Sequence, residues 1–318
     1  MRTARHLWRS ATPAAALTAA LALAACGSGK DATTSAKTPA AADPAVLAKQ
    51  AFGPNAAARS GQIDGEIRIA VTGAKAFAEP FSLTMSGPFE DRAGHALPDY
   101  DIQLGAGNYG SELSAVGGKS YVSLGTTGYQ VPATIRRRLV HSAAKGTNGL
   151  TRTLEQFGIA IWRWETKRRI AGTELVDGVQ TVHVATGVDV RRVLLDANTL
   201  GGLQNALGIS RATGLPPKIS RAARDVLVRS VTSASGGSWI GVKDHVLRKA
   251  GFTVRFAVAK ADRHSVGGIS AATVTALLNV TDVGSPQRIG KPPTIGAFAD
   301  FKAGLSALGD AQDAKHAP

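Results

Sequence analysis

Acidic residues, aromatics and cysteine are all scarce in this 318-residue chain. Asp and Glu number 23 against 37 Lys and Arg, a formal charge of +14. An excess of that sign favours anionic headgroups or acidic polymers as partners. Aromatics are 5% and apolar residues 44%, so the core must be built mainly from Val, Leu, Ile and Ala. A single cysteine, Cys26, excludes an internal disulfide. Long apolar runs are missing too: the uncharged stretch 11–25 contains Pro13 and falls short of the roughly 20 residues that span a bilayer.

The chemistry of most enzymes is also missing. There is no Gly-x-Ser-x-Gly elbow and no His-Glu-x-x-His pair, and the seven histidines are scattered without ligand spacing. No metal or cofactor site is expected. Gly105-Ala106-Gly107-Asn108-Tyr109-Gly110 has the letters of a dinucleotide fingerprint but lacks the helix that would offer amides to a pyrophosphate, so a hairpin turn is expected there. Ser142-x-x-Lys145 has the spacing of penicillin-recognising enzymes without their Ser-Asp-Asn and Lys-Thr-Gly companions. His183 falls on the more polar face of its strand, where a surface or hydrogen-bonded role is expected. No catalytic residue is assigned, and the chain is not expected to be an enzyme.

What is present begins at the N-terminus. Arg2, Arg5 and Arg9 precede an alanine-rich apolar run that ends in Leu23-Ala24-Ala25-Cys26, the layout of a secretory signal peptide with a cleavage region resembling a bacterial lipobox. Residues 1–25 are therefore expected to be removed and Cys26 to carry a diacylglyceryl group. The expected location is the outer face of a bacterial cytoplasmic membrane, within the envelope. The signal segment carries three of the fourteen charges, which leaves +11 on the 293 mature residues. Residues 26–43 read as the lipidated cysteine and a Gly/Ser/Thr/Ala/Lys/Pro tether, whose mean reach as a coil is roughly 20 Å.

Beyond the tether the patterning is strand, helix, strand. Asp43-Pro44 opens a short helix that Gly53-Pro54 closes. Ile63, Gly65, Ile67, Ile69 and Val71 then alternate with polar residues, as do Phe81, Leu83 and Met85, then Tyr100, Ile102 and Leu104, which predicts an antiparallel meander with one apolar face. The middle turns helical, with Ile135 beside Arg136, Arg137 and Arg138, then one further helix through Leu154, Phe157, Ile161 and Trp162 ending at Lys167-Arg168-Arg169. Trp162 and Trp164 are candidates to line a cavity or to pack in the core. A short strand around Val179–Val184 precedes a helix capped by Asp189, whose stripe includes Leu194 and Leu203; Gly201-Gly202 predicts a kink or break in it. Ser220 caps another helix. Strand alternation returns at Ile240, at Phe252–Val258 and at Val274–Val280, followed by an amphipathic segment through Phe298, Phe301, Leu305 and Leu308. The fold class is α+β, with one domain over 44–309 and an unstructured tail over 310–318.

The lipobox, the tether, the Ser60-Gly61 strand start and the run Gly178–Val184 before a helix together resemble the actinobacterial LppX/LprG-like lipoproteins, and look especially similar to the longer relatives in that group. That resemblance implies a LolA-like fold, a strongly curved antiparallel sheet forming a half-barrel with helices over its concave face. It also implies a cavity between sheet and helices for the acyl chains of lipid or lipoglycan cargo. Ile67, Ile69, Leu83, Met85, Ile135, Leu194 and Leu203 are the candidate lining. Arg136, Arg137 and Arg138 are the candidates for contact with anionic headgroups, and no nucleic acid partner is expected. The alternative is a non-enzymatic envelope scaffold without cargo, whose core would be filled.

Overall fold

The computed structural model describes residues 43–315 except 54–57, 75–79, 94, 96, 107–108, 143–147 and 208–217. The expected signal segment, Cys26 and nearly all of the tether lie outside the described residues. Seven α-helices are described: α1 (Pro44–Phe52), α2 (Ala133–Ser142), α3 (Gly149–Gln156), α4 (Ile161–Trp164), α5 (Val190–Leu207), α6 (Arg221–Arg229) and α7 (Phe298–Lys315), with a 3-10 helix at Lys260–Val266. The strands are β1 (Ser60–Thr72), β2 (Phe81–Glu90), β3 (Asp99–Ala106), β4 (Tyr109–Val116), β5 (Lys119–Leu124), β6 (Thr127–Gln130), β7 (Glu165–Val176), β8 (Val179–Val188), β9 (Val231–Gly241), β10 (Leu247–Ala257), β11 (Ala271–Thr281) and β12 (Thr294–Gly296). They form one open sheet in the order β12-β6-β5-β4-β3-β2-β1-β11-β10-β9-β8-β7. Every pairing is antiparallel except β12 with β6.

The seam of this sheet joins the two ends of the sequence. β1 pairs with β2 on one side and β11 on the other, so Ile67 stands between Leu83 and Ala276, and Gly65 between Met85 and Leu278. These odd-numbered positions of β1 face the helices. A continuous buried cluster on that face runs from Val122 in β5 through Ile102, Phe89, Ile63 and Val280 to Val182 and Val184 in β8, and takes in Leu47, Leu150, Leu154 and Phe301 from the helices. A second cluster, Val190 and Leu194 against Val254 and Phe256, seats the start of α5 on β10.

Local signals explain the ends of the helices. The Asp43 carboxylate accepts from Ala45 N at 2.8 Å, with Pro44 opening α1. Ser220 accepts from Ala223 N at 3.1 Å and starts α6, and Asp189 accepts from Arg192 N at 3.2 Å at the start of α5. Three departures from the sequence expectation have physical causes. The single helix expected from Leu154 into Lys167-Arg168-Arg169 is two, with Phe157–Ala160 between them. Gly158 there adopts φ +77, with Thr199 closing in where a side chain would stand, and the basic cluster belongs to β7, where Lys167 has φ 47 and the pairing with β8 is shifted. α5 runs unbroken through Gly201-Gly202. The propensity cost of roughly 1 kcal/mol per glycine is offset by burying Val190, Leu194, Gly201, Gln204 and Leu207. Finally, α7 continues to Lys315, past Gly309 where the expected tail begins.

On the opposite, outer face, the segment after β11 crosses the sheet. Gln287 accepts from Gln62 Nε2 at 2.7 Å, and Pro292 sits against Gly128, where a Cβ would come within 2.3 Å of its ring. This strap reaches from β1 to β6 and delivers β12 to that edge. On the same outer face, Ser114 and Tyr121 are buried and Asp101 faces Glu112. Burial, then the charge and hydrogen bond of Glu112, push the Asp101 carboxyl up to about 6. The folded state therefore holds this proton more tightly than the unfolded chain, whose aspartates titrate near 3.8. Stability from this group is full below about pH 4 and is lost as pH rises through about 6. Urea melts at pH 4 to 7 should show that fall, and Asp101→Asn should flatten it; an unchanged slope would reject the assignment.

Candidate functional site: an apolar cavity between sheet and helices

Seven consecutive strands in the sheet order, β3-β2-β1-β11-β10-β9-β8, contribute to the wall of one cavity through Leu104, Met85, Gly65, Leu278, Ala250, Gly237 and Thr186. Laid flat, those strands would extend over roughly 29 Å at about 4.8 Å spacing. One space can touch all of them only if the sheet curves around it. The other wall is helical and aromatic: Leu154, Phe157, Ile159, Ile161, Trp164, Leu200 and Gln204. The cavity measures about 70 Å³, room for only a few water-sized groups. Its surface is almost wholly apolar, with Glu66, Thr84, Glu165, Thr186 and Gln204 as the polar members.

Glycine keeps part of this space open. At Gly65 a Cβ would stand 2.9 Å from Met85 Cγ and 3.5 Å from Leu278 Cδ1, so any larger residue would push into the lining. Trp164 closes the helical side. Its ring meets Phe252 edge-on at 5.3 Å, and its Nε1 donates to Asp196 Oδ2 at 2.8 Å. The same oxygen accepts from Ala160 N at 3.0 Å. Burial raises the Asp196 carboxyl above the usual aspartate range, although those hydrogen bonds, Arg163 and Arg192 all pull it down. Asp196 thus ties α5 to α4 across the cavity roof.

The structure divides the residues singled out from the sequence. Ile67, Leu83 and Met85 line the cavity. Ile69 lies beyond them on the same sheet face, half-buried in β1, and with Val71 and Phe81 it continues the apolar strip past the cavity. Ile135 and Leu203 pack against the main core, and Leu194 belongs to the second cluster on β10; none of these three lines the space. Trp164 does, whereas Trp162 packs on Phe52 with ring centroids 6.3 Å apart. Arg136 donates to the carbonyl of Gly118, Arg137 is exposed, and the Arg138 side chain lies outside the described residues. His183 is hydrogen-bonding surface, with Nδ1 3.4 Å from Glu174 Oε1. The glycines at 105 and 110 pair across the β3–β4 hairpin. Lining residues missed from the sequence include Leu104, Leu154, Phe157, Phe252, Ala276 and Leu278. Alternation already put most of these on the apolar face, but nothing in it separates a residue beside a void from one in solid packing.

Among the described residues, no group of three His, Cys, Asp or Glu side chains is placed to hold a metal, and no helix is long and apolar enough to cross a membrane.

No protein-family model matches the chain, and no curated protein matches it in sequence. Among solved structures it is similar to the lipoprotein LppX of Mycobacterium tuberculosis, with 12% identity and a TM-score of 0.36 over 78% of this chain and 100% of that one. LprF of Mycobacterium bovis gives 10% identity and a TM-score of 0.39 over 78% of this chain and 96% of that one. A LolA superfamily protein from Nitrosomonas europaea gives 11% and 0.22 over 77% and 93%. By its own sheet order and packing the chain is an α+β half-barrel, one open sheet with helices on its concave face.

Proposed function

We propose that this protein is an envelope lipoprotein, anchored through Cys26, that takes acyl chains of lipid or lipoglycan into the cavity between sheet and helices. The observation that carries this reading is the cavity itself: an apolar space walled by seven strands and roofed by helices, continuing into the half-buried strip of Ile69, Val71 and Phe81. Burial in such a space stabilises a chain by about 0.8 kcal/mol per methylene. At about 70 Å³ the cavity is too small for a whole acyl chain, so loading requires the roof of α4 and α5 to move outward. The exposed Arg137 beside Arg136 and Arg138, on a chain whose net charge of +14 falls to +11 once Arg2, Arg5 and Arg9 are removed with the signal segment, supports contact with anionic headgroups during that exchange.

The small volume is also the observation that favours a second reading, a scaffold lipoprotein without cargo. Native mass spectrometry of the full chain purified from membranes, alongside its Cys26→Ala form, separates the two. A carrier releases acyl lipid beyond its covalent anchor; protein that is empty in both forms, and stays empty after incubation with fatty acid, sinks the carrier reading. Ala276→Phe, which projects a ring into the cavity, should cut co-purified lipid at least tenfold. Overpacking there costs roughly 1–3 kcal/mol of stability. Leu175→Phe, at a site 72% exposed, should leave the lipid yield unchanged.

A further inference from the structure

The outer face of the sheet carries a second cavity, of about 450 Å³, across β1, β11, β10, β9 and β8. Strand register shows how it is made. Glu66, Leu277, Gly251 and Gly237 stand side by side across four strands, so the two positions nearest β8 have no side chain and form a floor of bare backbone. One row toward one end of the strands lie Arg68, Thr275, Thr253 and Ser235; one row toward the other lie Lys249, Trp239 and His183. The flanking rows stand roughly 13 Å apart along the strands, so the feature is a trough running perpendicular to them, with a hydroxyl wall and a cationic, aromatic wall.

The aromatic wall is braced. Trp239 stacks on His183 with centroids 4.3 Å apart and planes 9° apart, and its Nε1 donates to Glu174, which also meets His183. From the next strand, Lys249 Nζ lies 4.8 Å from the Trp239 ring centroid. Of the Asp, Glu, Lys and Arg residues lining the trough, Glu66 and Arg68 offset each other and Lys249 is left over; Glu174, bound to Trp239 and His183, is not part of the lining. Arg68 is held by Glu66 at 2.6 Å, and the hydrogen bonds of Arg68 and then Ser82 keep the Glu66 carboxyl below its usual range. Lys249 has no carboxylate partner among the described residues. Leu277, 41% exposed, adds an apolar surface on the floor.

We infer that this trough binds an anionic polyol, a sugar or cyclitol bearing phosphate or carboxylate. Its acid group meets Lys249, its hydroxyls meet Ser235, Thr253 and Thr275, and its C–H surface meets Leu277 and the edge of Trp239. A bare anion would use the cation alone and leave the hydroxyl row and the apolar surface unengaged. The trough is on the opposite side of the sheet from the acyl cavity, so the inference does not rest on the carrier reading.

The test titrates the full chain with glucose 1-phosphate, glucose and inorganic phosphate while following tryptophan fluorescence. The expected result is a saturable change with glucose 1-phosphate, at least tenfold weaker with either glucose or phosphate, that vanishes in Trp239→Phe. Affinity should fall about tenfold in Lys249→Gln, which keeps the stem over the ring, and also in Gly251→Ala, whose new methyl occupies the floor 3.6 Å from Leu277 Cδ1. Circular dichroism confirms that each variant is folded, and Lys260→Ala, at an exposed position that opens the short 3-10 helix Lys260–Val266 after β10, should bind as the parent does. The inference is overturned by an absence of saturable binding, by equal affinity for phosphate alone, or by Lys249→Gln and Gly251→Ala both binding normally. Competition by polygalacturonate would identify a polymer as the source of the ligand. Competition by phosphatidylinositol vesicles, but not by phosphatidylglycerol vesicles of equal charge, would identify a lipid headgroup.

Discussion

Trp164→Ala is expected to lower stability by about 3–5 kcal/mol, more than removal of any surface contact in the fold. Three consequences combine in that one truncation. The edge-on packing against Phe252 is lost, the Asp196 carboxylate loses its indole donor, and the cavity grows at the point where α4 roofs it. Trp164→Phe separates them. It retains most of the ring volume but leaves Asp196 with the Ala160 amide, for a loss of roughly 1–3 kcal/mol. Urea unfolding with an unchanged slope would measure both. If acyl chains bind in the cavity, added fatty acid should recover stability in Trp164→Ala to a greater extent than in the parent, because a ligand that binds only the folded state stabilises it in proportion to its affinity. Equal midpoints for the parent and Trp164→Ala would mean that Trp164 does not close the roof.

Cys26→Ala is expected to move the protein from the membrane fraction to the soluble fraction almost completely. A diacylglyceryl cysteine supplies two chains, enough for stable attachment where one would be marginal. Without them only surface charge is left, and that attraction is screened by salt. Fractionation at high salt is therefore the decisive condition. Unchanged membrane retention there would refute the lipobox reading and with it the proposed anchorage.

The parts of the fold legible in the sequence are those where one face is buried and the other is wet. Ile63 to Val71 alternates because β1 lies between β2 and β11 with its odd positions on the core. Asp43-Pro44 and Ser220 announce helix starts because each side chain satisfies an amide that the helix leaves free. β7 was hidden because its first half is Glu165-Thr166-Lys167-Arg168-Arg169, an edge strand with bulged pairing. Charge and irregularity are what keep such an edge from pairing with other chains, and they also erase the alternation that would reveal it. The first half of β9, Val231 to Gly237, was hidden for the opposite reason: Ser, Thr, Ala and Gly have too little hydrophobic contrast to show a period.

The candidate sites were legible only in part. Alternation placed Ile67, Leu83 and Met85 on the correct face, and these three do line the cavity. It could not show that Ile135, Leu194 and Leu203 pack elsewhere, because that depends on where α2 and α5 sit on the sheet. The outer trough was not legible at all. It arises from residues as distant in sequence as Arg68, His183 and Thr275, and the register across five strands is what brings them into rows.

The seam between β1 and β11 has a kinetic consequence. Gln62 finds its partner in Thr281, and Thr72 in Ala271, so the central strand of the sheet lacks one neighbour until nearly the whole chain is available. The meander from β1 to β6 can form early from local hairpins. The other half, β7 to β11, can form among its own strands. Joining them is the most non-local step in the molecule, and loop closure of that length makes it slow. For a chain threaded N-terminus first through a membrane, the open side of β1 would be exposed throughout transit, and synthesis and translocation would set the earliest time at which the sheet can close.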